Sequence, residues 1–207
     1  MSSGRRSPRG EDRQRDAERT QERILDAALV EFSEHGYAGA RISAIASRAG
    51  VNQQLISYYF DGKEGLYKAL STRWQALSAT FNQPEMPIHE VVGNFLQASV
   101  DHRPWTRLLA WQGLSGDGGE DDPDAHAYFR AIVDDVRSRQ LSGELAADLD
   151  PAYVLLVLFA AALAPTVIPQ IARRITGKPA DSPEFLSAYA EQLRRIIEHL
   201  ADSSKAD

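Results

Sequence analysis

The pattern of apolar positions is helical almost throughout the chain. In RTQERILDAALVEFSEHG, Ile24, Ala28 and Phe32 recur at i, i+4 and i+8, with Leu25 and Leu29 alongside, which is one face of a 3.6-residue period. Thr20 is placed to cap this helix, and Gly36 after Glu34-His35 stops it, leaving Tyr37 to Arg41 as a connector. A short second helix is predicted from Ser43 to about Ala49, ended by Gly50, and a third from Gln53 to Phe60, with Asn52 as its N-cap. Asp61 to Gly65 reads as a turn. A long fourth helix then runs from Lys63 to about Asn82, with Leu66, Leu70, Trp74 and Leu77 on one face. Pro84 and Pro87 break it and mark the boundary with the helical region that follows. Further helices are expected at about 88–102, 104–115, 123–141, 151–175 and 183–201. No segment alternates at period two over a useful length, so the expected fold is all-α, without a sheet.

Charge changes the picture by its distribution. The net charge of −6 over 207 residues argues by itself against a nucleic-acid binder. Yet residues 1–70 hold 11 basic and 10 acidic groups, net +1, and the remaining 12 basic and 19 acidic groups give −7. The front of the chain is thus near-neutral and the back acidic. There is no cysteine, hence no disulfide, thiol nucleophile or thiolate metal site, in keeping with a reducing cytoplasm. The opening MSSGRRSPRG is basic, lacks the apolar stretch of a signal peptide, and reads as part of a disordered basic arm over residues 1–17. That arm is either a solvated tail or one whose Arg5, Arg6 and Arg9 reach DNA phosphates or a minor groove. The apolar stretch from Tyr153 to Pro169 is too short for a membrane span and holds Pro165 and Pro169, so a buried helix kinked near Pro165 is expected, and no membrane partner.

The segment AIASRAGVNQQLISYYFDGKEGLY, Ala44 to Tyr67, carries the candidate chemistry. Two short helices joined around one glycine form a helix-turn-helix, here within residues 18–65. Ile45, Ala46 and Ala49 should face inward, Gly50 turn the chain and Val51 plug the corner, leaving the second helix to offer its N-terminus to a major groove. Gln53 and Gln54 lie in its first turn, where an amide side chain can both donate to and accept from an adenine edge. Leu55 is placed to touch a thymine methyl, and Ser57 to bond a base or a phosphate. Tyr58 and Tyr59 can lay hydroxyls on phosphates, and Ile56 and Phe60 should pack inward. Lys63, with the amides at the start of its helix, would clamp a phosphate.

The order of residues from Ile24 to Leu70 resembles the TetR family of bacterial transcriptional repressors. The matching pieces are Phe-x-x-x-Gly-Tyr at Phe32–Tyr37, Ile-Ala-x-x-Ala-Gly-Val at Ile45–Val51, and Tyr-Tyr-Phe followed by Lys-x-x-Leu from Tyr58 to Leu66. The resemblance implies a homodimer whose two recognition helices read a palindromic double-stranded DNA operator. It also implies that residues 66–207 form a helical regulatory and dimerisation domain with a pocket for a small-molecule effector. Ligand there would move the fourth helix and change the spacing of the two heads. Ser43 and Asn52 join the expected DNA-contacting set. Two positions depart from the family pattern. Arg41 stands where many members have Ser or Thr, so it either replaces a cap-and-phosphate contact with charge or lies on the surface. Ser57 stands where many have Tyr, which loosens any carry-over of base contacts.

In the C-terminal part, Phe185, Tyr189, Leu193, Ile196 and Ile197 make an apolar arc wide enough for a core face and a partner face. With Val157 and Ala161 of the preceding apolar helix they are the expected dimer interface. Phe95, His102, Trp105, Trp111, Tyr128 and Phe159 are the candidate pocket lining. The loop SGDGGEDDPD lacks the alternating ligands of a calcium loop, and no His-x-x-x-His spacing occurs, so no metal and no cofactor is expected. No phosphate loop or nucleophile elbow is present, which argues against an enzyme. The remaining alternative is a helical DNA-binding protein that senses nothing.

Overall fold

A computed structural model describes residues 10–83, 85–116 and 122–202. The expected DNA-reaching residues Arg5, Arg6 and Arg9 and part of the Gly/Asp loop lie outside them. Among the described residues there are ten helices and no strands: α1 Gly10–Gly39, α2 Ile42–Ala49, α3 Gln53–Phe60, α4 Gly62–Ser78, α5 Ile88–Asp101, α6 Arg103–Ser115, α7 Pro123–Leu141, α8 Pro151–Val167, α9 Pro169–Thr176 and α10 Pro183–Asp202. The backbone is helical from Gly10, so residues 10–17, expected in a disordered arm, are helical instead. The glycine, serine and proline content that suggested disorder is confined to the first ten residues, and the next several are helix-compatible. The chain divides into two compact units between Arg73 and Trp74, inside α4, which lies between the two positions the sequence suggests, after residue 65 and at Pro84 and Pro87. A long helix shared between two cores leaves no composition change at the point of division.

In the first unit the helix is interrupted at Gly36, where the sequence predicts its stop, and the chain kinks there. Gly36 takes φ 68° and ψ 175°, a conformation open to glycine, and the helix resumes to Gly39. The kink turns Tyr37 back so that its ring stacks 5.8 Å from Phe32, and Tyr67 closes edge-on against both. Around Phe32 are buried Ile24, Ala28, Ile45, Ala46, Ala49, Ile56, Leu66 and Leu70, as the periodicity predicts. Each large aliphatic chain in that set contributes about 1.5–3 kcal/mol of burial. A Cβ on Gly65 would lie 1.5 Å from the Phe60 carbonyl oxygen, because the first turn of α4 passes directly beneath the end of α3.

The second unit is built around α5, whose Ile88, Val91, Val92 and Leu96 meet Val136, Leu145, Leu158, Ala162, Leu193 and Ile197. One buried ion, Arg139, ties its segments together. Its guanidinium donates to Asp135 (2.9 Å), Glu144 (2.9 Å), the Met86 carbonyl (2.8 Å) and Asn82 (3.1 Å). Glu144 in turn accepts from the Ile88 backbone N–H at the start of α5. Burial works against the charge, but the hydrogen bonds and opposite charges of Asp135 and Glu144 outweigh it and hold Arg139 above its ordinary pKa.

Two expectations for the C-terminal helices are corrected. The predicted 151–175 helix is two helices bent by 90°, broken at Ile168 rather than at Pro165, which is accommodated inside α8. Pro169 drives its predecessor out of helical geometry, and Ile168 takes φ −127° and ψ 53°. Nor is α8 a buried helix, since Tyr153, Leu156 and Val157 are 71%, 61% and 64% exposed. No single helix among the described residues is long and apolar enough to cross a membrane. Of the expected partner face, Phe185, Leu193 and Ile197 are buried in the chain's own core. Tyr189 and Ala161 are half-buried and bonded to each other, hydroxyl to carbonyl, at 3.0 Å. The α10 arc is spent largely on α5, leaving Ile196 exposed on α10 and Val157 exposed on α8.

Gly65→Ala should destabilise the first unit by about 1–3 kcal/mol, since a methyl must displace backbone rather than a flexible side chain. Gly113→Ala meets nothing within 4 Å in α6 and should gain about 0.5–1 kcal/mol. Urea denaturation of the two variants should therefore move in opposite directions.

Candidate nucleic-acid interface

The reading head depends on how the turn between α2 and α3 satisfies its backbone. Gly50 closes α2 in the left-handed region (φ 65°), and the Val51 N–H returns to the Ala46 carbonyl at 3.0 Å. Arg23 of α1 adds a hydrogen bond to the Ala49 carbonyl, pinning the end of α2 to the first helix. Asn52 then caps α3, its side-chain oxygen accepting from the Leu55 N–H at 2.8 Å. With its middle anchored by buried Ile56, α3 is held by its inner face and its cap, and its outer face is open.

That outer face carries most of the expected residues. Gln53, Gln54, Ser57 and Tyr58 are exposed, and the spacing 54, 57, 58 puts them on one side of the helix. Tyr58 is 79% exposed, with its ring edge-on to Tyr59 at 5.1 Å. Beside it opens a concavity of about 660 Å³ lined by Asp61 and, as polar donors, by Ser57, Tyr58, Tyr59, Lys68 and Thr72, the Ser57 and Thr72 hydroxyls being given to the Gln53 and Lys68 carbonyls. These are donor types that suit phosphate oxygens. Arg41 and Ser43 are exposed at the start of α2, and Leu55 is half-buried. Arg41 extends its backbone as the N-cap residue of α2 but gives no side-chain cap; its N–H is taken by Glu31 at 3.3 Å.

Lys63 is placed differently from a free phosphate clamp. Its ammonium donates to the Ala38 carbonyl at 3.0 Å and sits over the Tyr37 ring, 4.8 Å from the centroid. It closes the carbonyl end of α1, which uses one of its three donors. Burial, followed by the charge of Glu64 and by Tyr67, pushes the Tyr37 phenol up. The lysine contact was not legible because it follows from the Gly36 kink. Glu31, Glu34 and His35 come within 4.8 Å of one another, but Glu34 is paired with Arg48 and Glu31 accepts from Arg41. That use is structural.

In the second unit, the candidate pocket residues are partly assembled. Trp105 is buried, and Trp74 stacks on it at 5.3 Å and 18°. His102 packs edge-on to Trp74, as does Phe81, which in turn meets Phe95. The Tyr128 hydroxyl is 2.8 Å from that of buried Ser78, and burial raises its pKa despite that hydrogen bond. Phe159 joins Tyr128 through Phe129. Trp111 is the exception, at 40% exposed. Trp74, Ser78 and Phe81 were not among the expected residues. Trp74 was read only as core, and its stacking partner is far away in sequence.

A capped, outward-facing helix of eight residues, following a second of equal length across a glycine turn, defines a helix-turn-helix DNA-binding protein of the transcription-regulator class. Comparison with known proteins agrees over both units. Residues 24–70 match the family model for bacterial regulatory proteins of the tetR family, and residues 88–197 match the tetracyclin repressor-like C-terminal domain. The chain belongs to the tetR family. It is 30% identical over 189 residues to the HTH-type transcriptional repressor SCO4008 of Streptomyces coelicolor, covering 89% of this chain and 98% of that one. It is also 30% identical to the HTH-type transcriptional regulator RutR of Escherichia coli K12, covering 84% and 86%. Among solved structures, the putative transcriptional regulator SCO4942 from Streptomyces coelicolor superposes with a TM-score of 0.70 at 28% identity, over 87% of this chain and 97% of that one.

Asn52→Ala should cost about 1 kcal/mol of stability by removing the cap. Because the cap fixes the turn that carries Gln53 and Gln54, operator should lose affinity by a larger factor than scrambled DNA in a filter-binding titration.

Proposed function

We propose that the protein is a ligand-responsive transcriptional repressor of the bacterial cytoplasm that binds a palindromic operator as a homodimer and catalyses no reaction. The observation that carries the DNA-reading part is the exposed Gln53, Gln54 and Tyr58 face on a helix fixed by its cap and its buried Ile56. Gln53 and Gln54 read base edges, Tyr58 holds phosphate, and Arg41, Ser43, Ser57 and Tyr59 position the head on the backbone. Lys63 has donors left beyond its bond to Ala38 and holds phosphate with them. The relatives, one a transcriptional repressor and the other a transcriptional regulator, support the class of activity.

Dimerisation is supported by the apolar surface that the protomer leaves uncovered. Tyr153, Leu156 and Val157 on α8 and Ile196 on α10 form the partner face, being the apolar groups that these two helices leave exposed once Phe185, Leu193 and Ile197 are buried. The sensor part is supported by the aromatic cluster of Trp74, Phe81, Phe95, His102 and Trp105. Trp74 and Ser78 belong to α4, the helix that also carries Leu66 and Leu70 of the first unit. A ligand that shifts Trp74 acts on the same helix that frames the reading head.

The two kinds of DNA contact separate in one experiment. Gln53→Ala or Gln54→Ala should cost about 1–3 kcal/mol on the operator and relax preference at one symmetric pair of positions, with the salt slope unchanged. Lys63→Ala should weaken binding to every sequence and lower the salt slope by about 1 per contact. Equal losses on operator and scrambled DNA for the glutamine variants would remove their base-reading role. The operator itself should be a palindrome in the DNA beside the coding region, with half-sites about 34–36 Å apart or a little wider.

Leu156→Glu combined with Val157→Glu should convert the dimer to a folded monomer in sedimentation at micromolar protein, with the helical signal retained. Tight operator binding by that monomer would overturn the dimer reading, since one head has too small a footprint for specific affinity.

A further inference from the structure

Among the described residues, one buried side-chain polar atom has no hydrogen-bond partner, and it is Nε1 of Trp105. The indole N–H is a donor only, so what it lacks is an acceptor. Leaving such a group unpaired costs about 1–3 kcal/mol, and the neighbouring polar atoms show that the fold does not otherwise tolerate this. One residue on, Thr106 donates to the Ser99 carbonyl at 3.0 Å. Ser99 is bonded to the Leu96 carbonyl and lies 3.1 Å from the Thr166 hydroxyl. Ser78 and Tyr128 satisfy each other. The exception falls in the aromatic cluster, where Trp74 stacks on the same indole ring.

We propose that Trp105 Nε1 is the polar anchor of the effector site, and that the effector is a planar, uncharged compound bearing a carbonyl-type acceptor. This rests on the sensor reading given above and narrows it to a chemical class. Planarity follows from the rings, since the Trp74–Trp105 stack and the edges of His102, Phe81 and Phe95 favour a flat aromatic partner. The acceptor follows from the unpaired donor. Neutrality follows from the charges. Among the described residues, the buried charged residue of this unit is Arg139, already held by Asp135, Glu144, Asn82 and the Met86 carbonyl, so none of them leaves a buried cation for an anionic ligand. The same two carboxylates are committed to Arg139, so a cationic ligand finds no buried counter-charge either.

The chain has three tryptophans, Trp74, Trp105 and Trp111, so selective ¹⁵N labelling gives three indole signals, assigned by Trp105→Phe and Trp111→Phe. The probes are coumarin, a flat lactone with a ring carbonyl, and naphthalene, a hydrocarbon of similar size without an acceptor. Coumarin should move the Trp105 indole proton downfield saturably and leave Trp111 in place, and naphthalene should bind less tightly. Trp105→Phe keeps the stacking ring and should weaken coumarin about tenfold, with naphthalene unaffected. If that variant does not fold, the shift in the native protein decides. The proposal is overturned if coumarin does not bind at about millimolar concentration, if it binds without moving the Trp105 signal, or if naphthalene binds equally well. A compound that releases operator without moving that signal removes this inference and leaves the sensor reading standing. A coumarin-bound Trp105, with no compound of any kind releasing operator, removes the sensor reading and leaves the site.

Discussion

Two helices of eight residues each are too short to persist in water, because the cost of nucleating a helix is not recovered within two turns. Everything the reading head does depends on the surrounding structure supplying that deficit. Ile45, Ala46 and Ala49 supply it for α2, which packs on the helix that carries Ile24, Ala28 and Phe32, and buried Ile56 supplies it for α3, which packs on α2. Asn52 and Gly50 complete it at the ends, and Arg23 and Lys63 draw the neighbouring carbonyls into the same frame. The exposed face of α3 is then free of structural duty, and its side chains are available to an outside partner.

Much of this was legible because periodicity and capping are local properties. The spacing of Ile24, Ala28 and Phe32, the glycine at position 50 and the asparagine at 52 each carry their meaning within a few residues. Contacts created by a change of direction were not legible. Lys63 meets Ala38 and Tyr37 only because Gly36 kinks α1, and Gly65 matters only because α4 passes beneath Phe60. The α10 arc shows the limit of amphipathicity, since its width shows that two neighbours are accommodated but not that α5 takes most of it. The aromatic set had the right chemistry, yet the partner that organises it, Trp74, looked like one more core position of a long helix.

The two units solve the problem of polar atoms differently. In the first, side chains close backbone groups left open at helix ends, a lysine, an arginine and an asparagine each serving one. In the second, a single guanidinium gathers groups from distant segments, while small hydroxyls pair among themselves inside the bundle. The first arrangement fixes orientation locally. The second leaves room for variety, because a bundle held at one corner by an ion cluster can carry different side chains elsewhere.

The cluster at Arg139 also constrains how the sequence can change through descent. Asn82, Asp135 and Glu144 are chosen to face one cation, and Glu144 also serves the first turn of α5. Losing the arginine strands two carboxylates, and losing either carboxylate weakens the case for a buried arginine, so single steps away from the set are penalised where a joint exchange is not. These four positions should therefore drift together or stay together among descendants of this chain, an inherited linkage set by charge neutrality rather than by contact with DNA or effector.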